Sequence, residues 1–471
     1  MAGWTPDPNN WRPFPQQEKF LASSAFEKLY GGAAGGAKTA ALLIWALRDV
    51  HRRGYHAILF RRTQKQLEID LLPQAREIYP RVGGTWRGKD HSFHWESGAR
   101  IEFGGLEHKL DAQANYKGGS FQRIGFDELT DFEEAQYIYL LSRARPSGLC
   151  ADIVPEIAAT SNPGSRGHEW VLERFAPWLY PREEEPEYDP SYKGPWARQG
   201  DILWYLRDAE GNERVVPPWS QGAKTRTFIG SKVTDNPIYA GSSYEDNLTA
   251  LCALDRAQLK DGSWMARPSA GMFFKEIYFA GRCLPVAPAH VLARIRYWDL
   301  ASTPAERARP EGAWTAGALL SKLHDRRTVI ENIKRGQWGP GDVKKMVRFC
   351  AEHDPPNTSI VIERDPGQAG TSQAWDFITE LQGFDVRAVP PQGDKVTRAK
   401  PVSAQAEGGN VWYVKDDEWN GPFFREAIAF PESTKDQIDS LSGGYNQLQR
   451  YTGFKGGVRG RRELTSSGSV Y

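Results

Sequence analysis

Apolar runs of strand length alternate with stretches of helical periodicity between about Tyr30 and Thr160. A strand at Phe26–Tyr30 and a helix at Thr39–Arg48 open this part of the chain. Strands separated by helices pair in parallel, because the helix carries the chain back to the start of the next strand. The pattern therefore predicts an α/β fold with a parallel sheet in the first half.

A different pattern interrupts the first half at residues 178–225. Trp178–Gly200 is rich in Pro, Glu and Tyr, which indicates an exposed loop. Two strand candidates, Ile202–Leu206 and Glu213–Val216, flank Gly211-Asn212, a pair typical of a hairpin turn. We expect an insertion made of a loop and a hairpin.

The chain changes character after about residue 280. Helical spacing over Tyr244–Lys260 closes the first half, and Gly281–His290, with two prolines, predicts a linker. Three strand candidates with short connections follow, so they should pair antiparallel. They are Arg294–Leu300, Thr315–Leu323 and Thr328–Ile333. A helix at Asp342–Glu352 and a strand at Ser359–Ile362 complete an α+β pattern.

These patterns predict two domains and a tail. The first, an α/β domain, covers residues 1–285, and the second, an α+β domain, covers residues 286–450. Residues 451–471 carry several basic side chains among Gly and Ser, and we expect this tail to be disordered.

Composition and charge exclude several classes of protein. The chain has 471 residues, with 60 Lys and Arg against 59 Asp and Glu, for a net charge of +1. A nucleic-acid partner would therefore need a local basic strip. The four cysteines lack CxxC spacing, which argues against a zinc ribbon or a disulfide scaffold. The sequence shows no secretory signal and no run of about 18 apolar residues, so we expect a soluble cytoplasmic protein.

A glycine-rich segment lies where the first predicted strand turns into the first predicted helix. It reads GGAAGGAKT, and its small residues let backbone amides approach a phosphate closely. Lys38 would reach the β- and γ-phosphates, and Thr39 would hold Mg²⁺. The residues of the cradle are Gly32, Gly35, Gly36 and Ala37. The usual pattern has glycine before the lysine, and a turn without a ligand is the alternative, which the Lys-Thr pair disfavours.

An acidic pair, Asp127-Glu128, ends a later predicted strand. Asp127 could bind Mg²⁺ through water, and Glu128 could activate an attacking water. A helix cap is the alternative interpretation. An ATPase core has a phosphate-binding loop first and an acidic pair roughly ninety residues later, and this order favours the ATPase interpretation.

Two arginines and a polar strand end are further candidates. Arg143 or Arg145 could supply an arginine finger to a neighbouring copy of the chain, although solvated arginines at a helix end are an equally good interpretation. Thr160 and Asn162 lie at the end of another apolar strand, near the expected γ-phosphate position. Taken alone, that segment is only a strand followed by a turn.

Four carboxylates in the second half end apolar strands or begin a helix. Asp299 and Glu363 end two strands, and Asp436 and Asp439 lie three residues apart on one face of a predicted helix. Converging carboxylates repel one another unless divalent cations lie between them. Such sites hold two metals and catalyse in-line displacement at phosphate. For each acid taken singly, a surface pair or a helix cap is the simpler interpretation.

Together and in this order, the motifs resemble those of the large terminase subunit of tailed bacteriophages, the motor and nuclease of DNA packaging. The resemblance covers about residues 10 to 445. PQQEKFL resembles the family's adenine-contacting segment, with Gln17 as the better-placed glutamine. The glycine-rich segment resembles its P-loop, Asp127-Glu128 its Walker B pair, and Thr160–Pro163 its coupling motif.

In the second half, Asp299, Glu363 and Asp436 match the acids of the family's RNase H-like nuclease. Two features depart from the family pattern. The P-loop contains no arginine, which keeps both arginines named above as finger candidates. Thr-Lys-Asp stands where relatives often have His-Asp-Asp, which leaves Asp436 and Asp439 as alternatives for the third acid.

The resemblance implies a P-loop (ASCE-type) ATPase domain with a parallel sheet, followed by an RNase H-like α+β nuclease domain. It implies ATP with Mg²⁺ in the first domain and two Mg²⁺ or Mn²⁺ ions in the second. The implied partners are double-stranded DNA, the portal protein of the procapsid, a small terminase subunit and further copies in a ring, expected to be a pentamer. The expected location is the host bacterial cytoplasm, transiently at the portal vertex, with no membrane partner and no place in the mature virion.

Two other functions fit parts of the sequence. The first is a DNA-dependent ATPase of helicase or repair type whose second half only binds DNA. The second is a non-catalytic assembly protein with a degenerate P-loop, which Ala37 suggests. DNA cleavage that depends on Asp299 would exclude the first, and ATP hydrolysis that depends on Lys38 would exclude the second.

Overall fold

The computed structural model describes residues 12–208, 211–301, 312–364, 375–391, 393–432 and 434–450. The chain divides into two compact units, Met1–Arg267 and Pro268–Tyr471. Each unit contains its own β-sheet. Among the described helices, none is long and apolar enough to cross a membrane. The predicted tail at 451–471 lies outside the described residues.

The first unit is built on a ten-stranded sheet. Its strands are β1 (Glu27–Gly32), β2 (His56–Arg61), β3 (Thr85–Arg87), β4 (Ser92–His94), β5 (Arg100–Gly105), β6 (Arg123–Phe126), β7 (Glu156–Ser161), β8 (Leu203–Arg207), β9 (Glu213–Val216) and β10 (Lys224–Ser231). They lie in the order β3-β4-β5-β2-β6-β7-β1-β10-β8-β9.

The centre of this sheet, from β5 through β2, β6, β7 and β1 to β10, is parallel, which confirms the predicted α/β fold. The edges are antiparallel: β3 and β4 extend one side, and β8 and β9 the other. At each edge the added strands pair antiparallel, which short turns permit without a crossover helix. The strands β8 and β9 pair on either side of Gly211.

Helices cover both faces of the sheet. They are α1 (Pro15–Ala22), α2 (Lys38–Ala46), α3 (Leu72–Ile78), α4 (Asp111–Tyr116), α5 (Glu134–Leu141), α6 (His168–Arg174), α7 (Ala176–Leu179) and α8 (Ser243–Thr249). Side chains alternate between two apolar cores along a strand, as in β2, where Leu59 joins one core and Phe60 the other. The α2 residues Leu42 and Trp45 lie in the same core as Leu59.

The single helix predicted over Tyr244–Lys260 is wrong. The helix α8 ends at Thr249, and two shorter helical turns follow at Ala253–Asp255 and Arg256–Lys260. The Arg256 guanidinium donates to the carbonyl oxygen of Leu251 at 2.6 Å and to that of Thr249 at 3.4 Å. The Arg256 side chain thus occupies carbonyl oxygens that would accept backbone hydrogen bonds in a continuous helix. Local periodicity does not reveal such a contact.

The second unit contains a seven-stranded sheet. Its strands are β11 (Cys283–Leu284), β12 (Ala293–Asp299), β13 (Thr315–Lys322), β14 (Thr328–Gly336), β15 (Ser359–Glu363), β16 (Val386–Val389) and β17 (Val411–Val414), in the order β11-β17-β14-β13-β12-β15-β16. The strands β12, β13 and β14 pair antiparallel, which confirms that prediction. The strands β15 and β16 continue the sheet in parallel to β12.

Four helices of the second unit pack in its core or supply side chains to the acidic cluster described below. They are α9 (Pro340–His353), α10 (Lys395–Glu407), α11 (Asn420–Ala429) and α12 (Asp436–Leu448). The Ser440 hydroxyl of α12 donates to the Tyr297 carbonyl at 2.7 Å and accepts from the Ala318 amide at 2.8 Å. At Gly443 a Cβ atom would lie 2.4 Å from the Tyr297 ring, so only glycine allows this approach. Small residues therefore let α12 lie directly on β12 and β13.

Residues 268–285 pack within the second unit, although the sequence predicts them in the first domain. The Phe273 and Phe430 rings lie 5.1 Å apart, and those of Phe279 and Phe424 also 5.1 Å apart. The strand β11 pairs with β17. These aromatic contacts explain why the compact units divide at residue 267. The predicted boundary near residue 285 separates the two expected activities rather than the two compact units, and it stays a prediction.

A buried ion cluster anchors the start of β1. Glu27 is almost fully buried, and its carboxylate contacts Arg174 at 2.5 Å, Arg226 at 3.1 Å and the Tyr137 hydroxyl at 2.8 Å. Burial acts to raise the pKa of Glu27, but the attraction of Arg174 and Arg226 outweighs it and lowers the pKa to about 2. The ionised carboxylate therefore stabilises the folded state.

We expect Glu27→Gln to lower the free energy of unfolding by about 3 kcal/mol at neutral pH, because it removes one of the two carboxylates, Glu27 and Glu213, that neutralise the buried Arg174 and Arg226. The folded pKa lies below the unfolded value, so the stabilisation is complete above about pH 4.5 and is lost as pH falls towards 2. Urea unfolding of both proteins at several pH values measures this difference. The control Glu77→Gln, at an exposed pair with Arg81, should cost under about 0.5 kcal/mol at every pH. A Glu27→Gln difference that did not shrink in acid would contradict the assignment.

Candidate active sites

The carboxyl ends of four parallel strands meet at one edge of the first sheet. The glycine-rich loop follows β1, Arg61 ends β2, Asp127 follows β6, and Asn162 follows β7. Parallel neighbours end on the same side, so residues far apart in sequence come together there. The structure thus brings the loop, the acidic pair and the polar strand end into one cluster.

The glycine-rich loop is held by β10 and by the helical turn at Arg256–Lys260. The Ala33 amide donates to the Ser231 carbonyl at 2.8 Å, and the Ala34 amide donates to the Leu259 carbonyl at 2.7 Å. At Gly36 a Cβ atom would lie 1.7 Å from the Ser231 hydroxyl oxygen, so a larger residue does not fit. The loop's glycines therefore serve the close packing of its backbone against a neighbouring strand.

Ala37, the residue that departs from the usual pattern, has left-handed backbone angles, with φ 54° and ψ 36°. Glycine adopts this conformation without strain, whereas alanine pays about 1 kcal/mol. The backbone nevertheless keeps the turn that starts α2 at Lys38. The departure from the pattern therefore alters local strain and leaves the loop intact.

Lys38 and Thr39 face the acidic pair. The Lys38 ammonium donates to the Ala33 carbonyl at 2.6 Å and to the Asn162 side-chain oxygen at 2.7 Å. Burial lowers the pKa of Lys38 to about 8, against the opposing pull of Glu128 and Asp127. The Thr39 hydroxyl donates to the Asp127 carboxylate at 3.0 Å. A cation, a hydroxyl and a carboxylate thus lie within reach of one loop.

Asp127 and Glu128 have different surroundings. Asp127 is fully buried and accepts from the Thr160 hydroxyl at 2.5 Å, and burial raises its pKa. Glu128 accepts from the Asn162 backbone and side-chain amides, both at 3.1 Å. Its φ of 59° is left-handed, and such strain in a non-glycine residue is typical of functional sites. Burial and the neighbouring Asp127 raise the pKa of Glu128 to about 7.

Arg61 is a site residue that the sequence does not reveal. Its Nε lies 3.0 Å from the Asp127 carboxylate, and its guanidinium also pairs with Asp70. Arg61 ends an apolar run in the sequence, but only the pairing of β2 with β6 brings it beside Asp127. Arg61 supplies the positive charge that the buried Asp127 needs.

Arg143 and Arg145 do not join this cluster. Their backbone pairs with Phe121, which precedes β6 at the opposite end of the strand from Asp127. The Arg145 guanidinium donates to the Ser120 hydroxyl at 2.6 Å. A role for either arginine in the site of a neighbouring copy stays a prediction.

Gln17 supports the loop through its side-chain amide. It donates to the Ala37 carbonyl at 2.9 Å and accepts from the Phe14 amide at 2.9 Å. Both polar atoms are thus engaged within the chain, and contact with an adenine stays a prediction. The adjacent Gln16 lines a cavity of about 250 Å³ together with Gly32.

A second cluster lies at the carboxyl ends of β12 and β15. Oxygen atoms of Asp299, Glu363 and Asp439 all lie within 4.8 Å of one another. Both carboxylate oxygens of Asp439 are buried and lack a hydrogen-bond partner among the described residues, although they form ion pairs. Oxygen-only donors at this spacing fit a hard divalent cation such as Mg²⁺ or Mn²⁺. Asp436, one turn before Asp439, lies outside this trio.

Two basic residues of α10 enter this cluster, and sequence reasoning missed both. Lys395 contacts Asp299 and Asp439, and Arg398 contacts Glu363 at 2.9 Å and also pairs with Asp439. Burial, only partly offset by Lys395, raises the pKa of Asp299 to about 7, and the neighbouring carboxylates add to the shift. The two cations lie three residues apart near the start of one helix, a spacing that could have indicated a shared face.

Two family models match consecutive parts of the chain. The model for the terminase large subunit, T4likevirus-type, N-terminal, matches residues 29–277, which is more than half of the sequence. The chain belongs to the terminase large subunit family. The model for the terminase RNaseH-like domain matches residues 296–448. The N-terminal match contains the first cluster, and the C-terminal match contains the second.

Solved structures support the same fold. A large terminase from a thermophilic bacteriophage matches with a TM-score of 0.61 at 12% identity, covering 93% of this chain and 100% of that chain. The same phage protein in complex with ADP matches with a TM-score of 0.58, at the same identity and coverage. Its complex with ATP-gamma-S matches with a TM-score of 0.55 at 12% identity, covering 93% of this chain and 98% of that chain. No curated protein matches the chain.

Membership settles the class of activity. This terminase has an ATPase domain followed by an RNase H-like nuclease domain, and it is a DNA-packaging ATPase and endonuclease. The fold class and the two enzymatic activities expected from the sequence are thereby confirmed. The alternative of a helicase-type or repair-type ATPase is not favoured, because residues 296–448 match a terminase nuclease domain.

We expect Ala37→Gly to raise the free energy of unfolding by about 0.5 kcal/mol, because it removes left-handed strain at a small entropic cost. ATP hydrolysis should be retained, since the loop keeps its shape. The matched control Ala40→Gly, in the first turn of α2, should lower stability by up to about 1 kcal/mol. Urea unfolding measures both, and equal destabilisation by the two glycines would contradict the strain at Ala37.

Proposed function

We propose that the first cluster hydrolyses ATP with Mg²⁺ and that the second cuts duplex DNA with divalent metal ions. The observation that carries the proposal is the convergence of complementary groups at the carboxyl edge of each sheet. In the first, Lys38 donates to Asn162 and Thr39 donates to Asp127. In the second, Asp299 lies beside Glu363 and Asp439. The thermophilic phage terminase has been solved with ADP and with ATP-gamma-S, which supports a nucleotide at the first cluster.

In the ATPase, Lys38 would exchange its contacts with Ala33 and Asn162 for the phosphates. Thr39 and Asp127 would hold Mg²⁺, which supplies positive charge to the transferring phosphoryl group. Glu128 would accept the proton of the attacking water, and its raised pKa suits that task near neutral pH.

Asn162 contacts both Lys38, the proposed phosphate ligand, and Glu128, the proposed base. It accepts from Lys38 through its side-chain oxygen and donates to Glu128 through two amides. When phosphate binding draws Lys38 away, Asn162 would lose its contact with Lys38 and keep its contacts with Glu128. We propose that Asn162, with Thr160 beside Asp127, reports the nucleotide state to the rest of the motor.

In the nuclease, Asp299, Glu363 and Asp439 would hold the divalent ions. These ions would polarise the scissile phosphate and lower the pKa of the attacking water. The geometry supports Asp439 as the third acid, since it shares the compact trio with the other two. Asp436 accepts from the Trp314 amide at 3.0 Å and lies at the margin of the cluster. The Tyr297 hydroxyl donates to Glu363 at 2.7 Å and orients its carboxylate.

The partners and location follow from the proposed role in packaging. Double-stranded DNA would be the polymer that is moved and cut, and the portal protein of the procapsid would be the docking partner. A small terminase subunit would select the DNA, and a ring of copies, expected to be a pentamer, would form at the portal. The proposed location is the host bacterial cytoplasm, with transient residence at the portal vertex.

Variants of the two clusters should separate the two activities. We expect Lys38→Ala to reduce ATP hydrolysis by about a hundredfold or more, because the phosphates lose their cation, and to leave DNA cleavage intact. Asp299→Asn should abolish metal-dependent cleavage of plasmid DNA and leave DNA-stimulated ATP hydrolysis intact. Phosphate release and plasmid nicking, measured on the same preparations, test both.

The controls are Lys89→Ala and Asp325→Asn, which change exposed residues away from the clusters and should leave both activities unaltered. Loss of both activities in either cluster variant, with normal folding, would argue against two independent centres. Cleavage that survives Asp299→Asn would remove the second cluster from the reaction.

A further inference from the structure

A cavity of about 250 Å³ lies at the amino ends of β1 and β10, within the first unit. Glu27 begins β1 and Lys224 begins β10, and both residues line the cavity. The glycine-rich loop follows Gly32 at the other end of β1, about 16 Å away for a rise of about 3.3 Å per residue. The cavity is therefore separate from the proposed ATP site and lies at the opposite edge of the sheet.

The hairpin of β8 and β9 closes one side of this cavity. Tyr205 and Arg207 of β8 and Glu213 of β9 contribute to its wall. The Arg226 guanidinium of β10 lies over the Tyr205 ring, with 4.1 Å between the guanidinium carbon and the ring centroid. The Tyr205 hydroxyl is buried and makes no hydrogen bond of ordinary geometry with any described residue. The predicted insertion thus supplies a wall with one unsatisfied polar group.

The two acids that line the cavity, Glu27 and Glu213, are ionised at neutral pH. Burial acts to raise the pKa of both, but the attraction of Arg174 and Arg226 outweighs it and lowers the two values. Each arginine pairs with both acids. These four side chains therefore neutralise one another, with two positive charges against two negative charges.

Two further cations, Arg207 and Lys224, line the same cavity. Arg207 donates through Nε to the Gly211 carbonyl at 3.0 Å, and the Lys224 ammonium nitrogen lies 4.1 Å from the centroid of the Phe26 ring. Partial desolvation lowers the pKa of Lys224, and the nearby Arg207 adds to the shift, although the two acids oppose it. Within the described residues, neither cation forms an ion pair with a carboxylate. The cavity therefore carries an excess of two positive charges.

We propose that this cavity is a binding site for a small dianion, with inorganic phosphate as the simplest ligand. The two unbalanced positive charges match the charge of such a ligand. Lys224 and Arg207 would donate to its oxygens, and the Tyr205 hydroxyl would gain the hydrogen bond that it lacks. Ile138 and Leu141 form an apolar part of the wall, where an organic phosphate would place its carbon atoms.

The test titrates inorganic phosphate into the full-length chain near neutral pH, with sodium chloride adjusted to keep the ionic strength constant. Every protein carries Lys38→Ala, so that the glycine-rich loop loses the cation that would bind phosphate there. Binding is followed by the broadening of the ³¹P resonance of phosphate. It should saturate with a Kd of about 1 mM or below.

Two variants of the lining should shift phosphate binding in opposite directions. Lys224→Gln removes a positive charge and should raise the Kd at least about fivefold. Glu213→Gln removes a competing negative charge and should lower the Kd at least about threefold. The matched control Arg214→Gln removes an exposed positive charge from the other face of β9 and should keep the Kd within about twofold of the parent value. A side chain that only supports the fold would not produce shifts of opposite sign.

Three results would overturn the proposal. The first is the absence of saturable phosphate binding in the parent protein. The second is a Kd for Lys224→Gln that stays within about twofold of the parent value. The third is a Glu213→Gln protein that binds phosphate no more tightly than the parent. ATP hydrolysis and DNA cleavage do not enter the measurement, so the proposed function stands or falls separately.

Discussion

A carboxylate buried at the end of a strand needs compensating positive charge, because transfer from water to the protein interior costs several kcal/mol for an unpaired ion. Both clusters of this terminase are built around that requirement. Arg61 and Lys38 balance Asp127 and Glu128 in the ATPase domain, and two basic residues of α10 balance the acids of the nuclease domain. These cations hold the acids close together, in the arrangement that ATP, DNA and metal ions would use.

The parallel sheets explain how the acids come together. The strands β1, β6 and β7 end on one edge, so the loop, Asp127 and Asn162 meet although they are far apart in sequence. In the second unit, β12 and β15 bring Asp299 beside Glu363, and α12 contributes Asp439 because Ser440 and Gly443 let it lie directly on the sheet. The likeness to the thermophilic phage terminase, at 12% identity, concerns the fold.

The sequence predicts those site residues that a pattern within a short segment reveals. Asp127 and Asp299 end apolar strands, and the glycine-rich loop precedes a helix, so each is visible within a short window. Arg61, Lys395 and Arg398 were missed because the carboxylates that they contact lie on other elements, and no local spacing links each cation to its carboxylate. The break after α8 was missed because the Arg256 side chain, rather than a backbone amide, donates to the preceding carbonyls, which hydrophobic periodicity does not reveal. The choice between Asp436 and Asp439 likewise depends on how α12 packs.

We propose that one chain carries two separate metal-dependent centres, one at the carboxyl end of each sheet. Anomalous diffraction from crystals grown with Mn²⁺ and a non-hydrolysable ATP analogue, without DNA, tests it most directly. We expect Mn²⁺ peaks both beside Thr39 and Asp127 and among Asp299, Glu363 and Asp439. Strong Mn²⁺ peaks elsewhere, with none at either cluster, would contradict it.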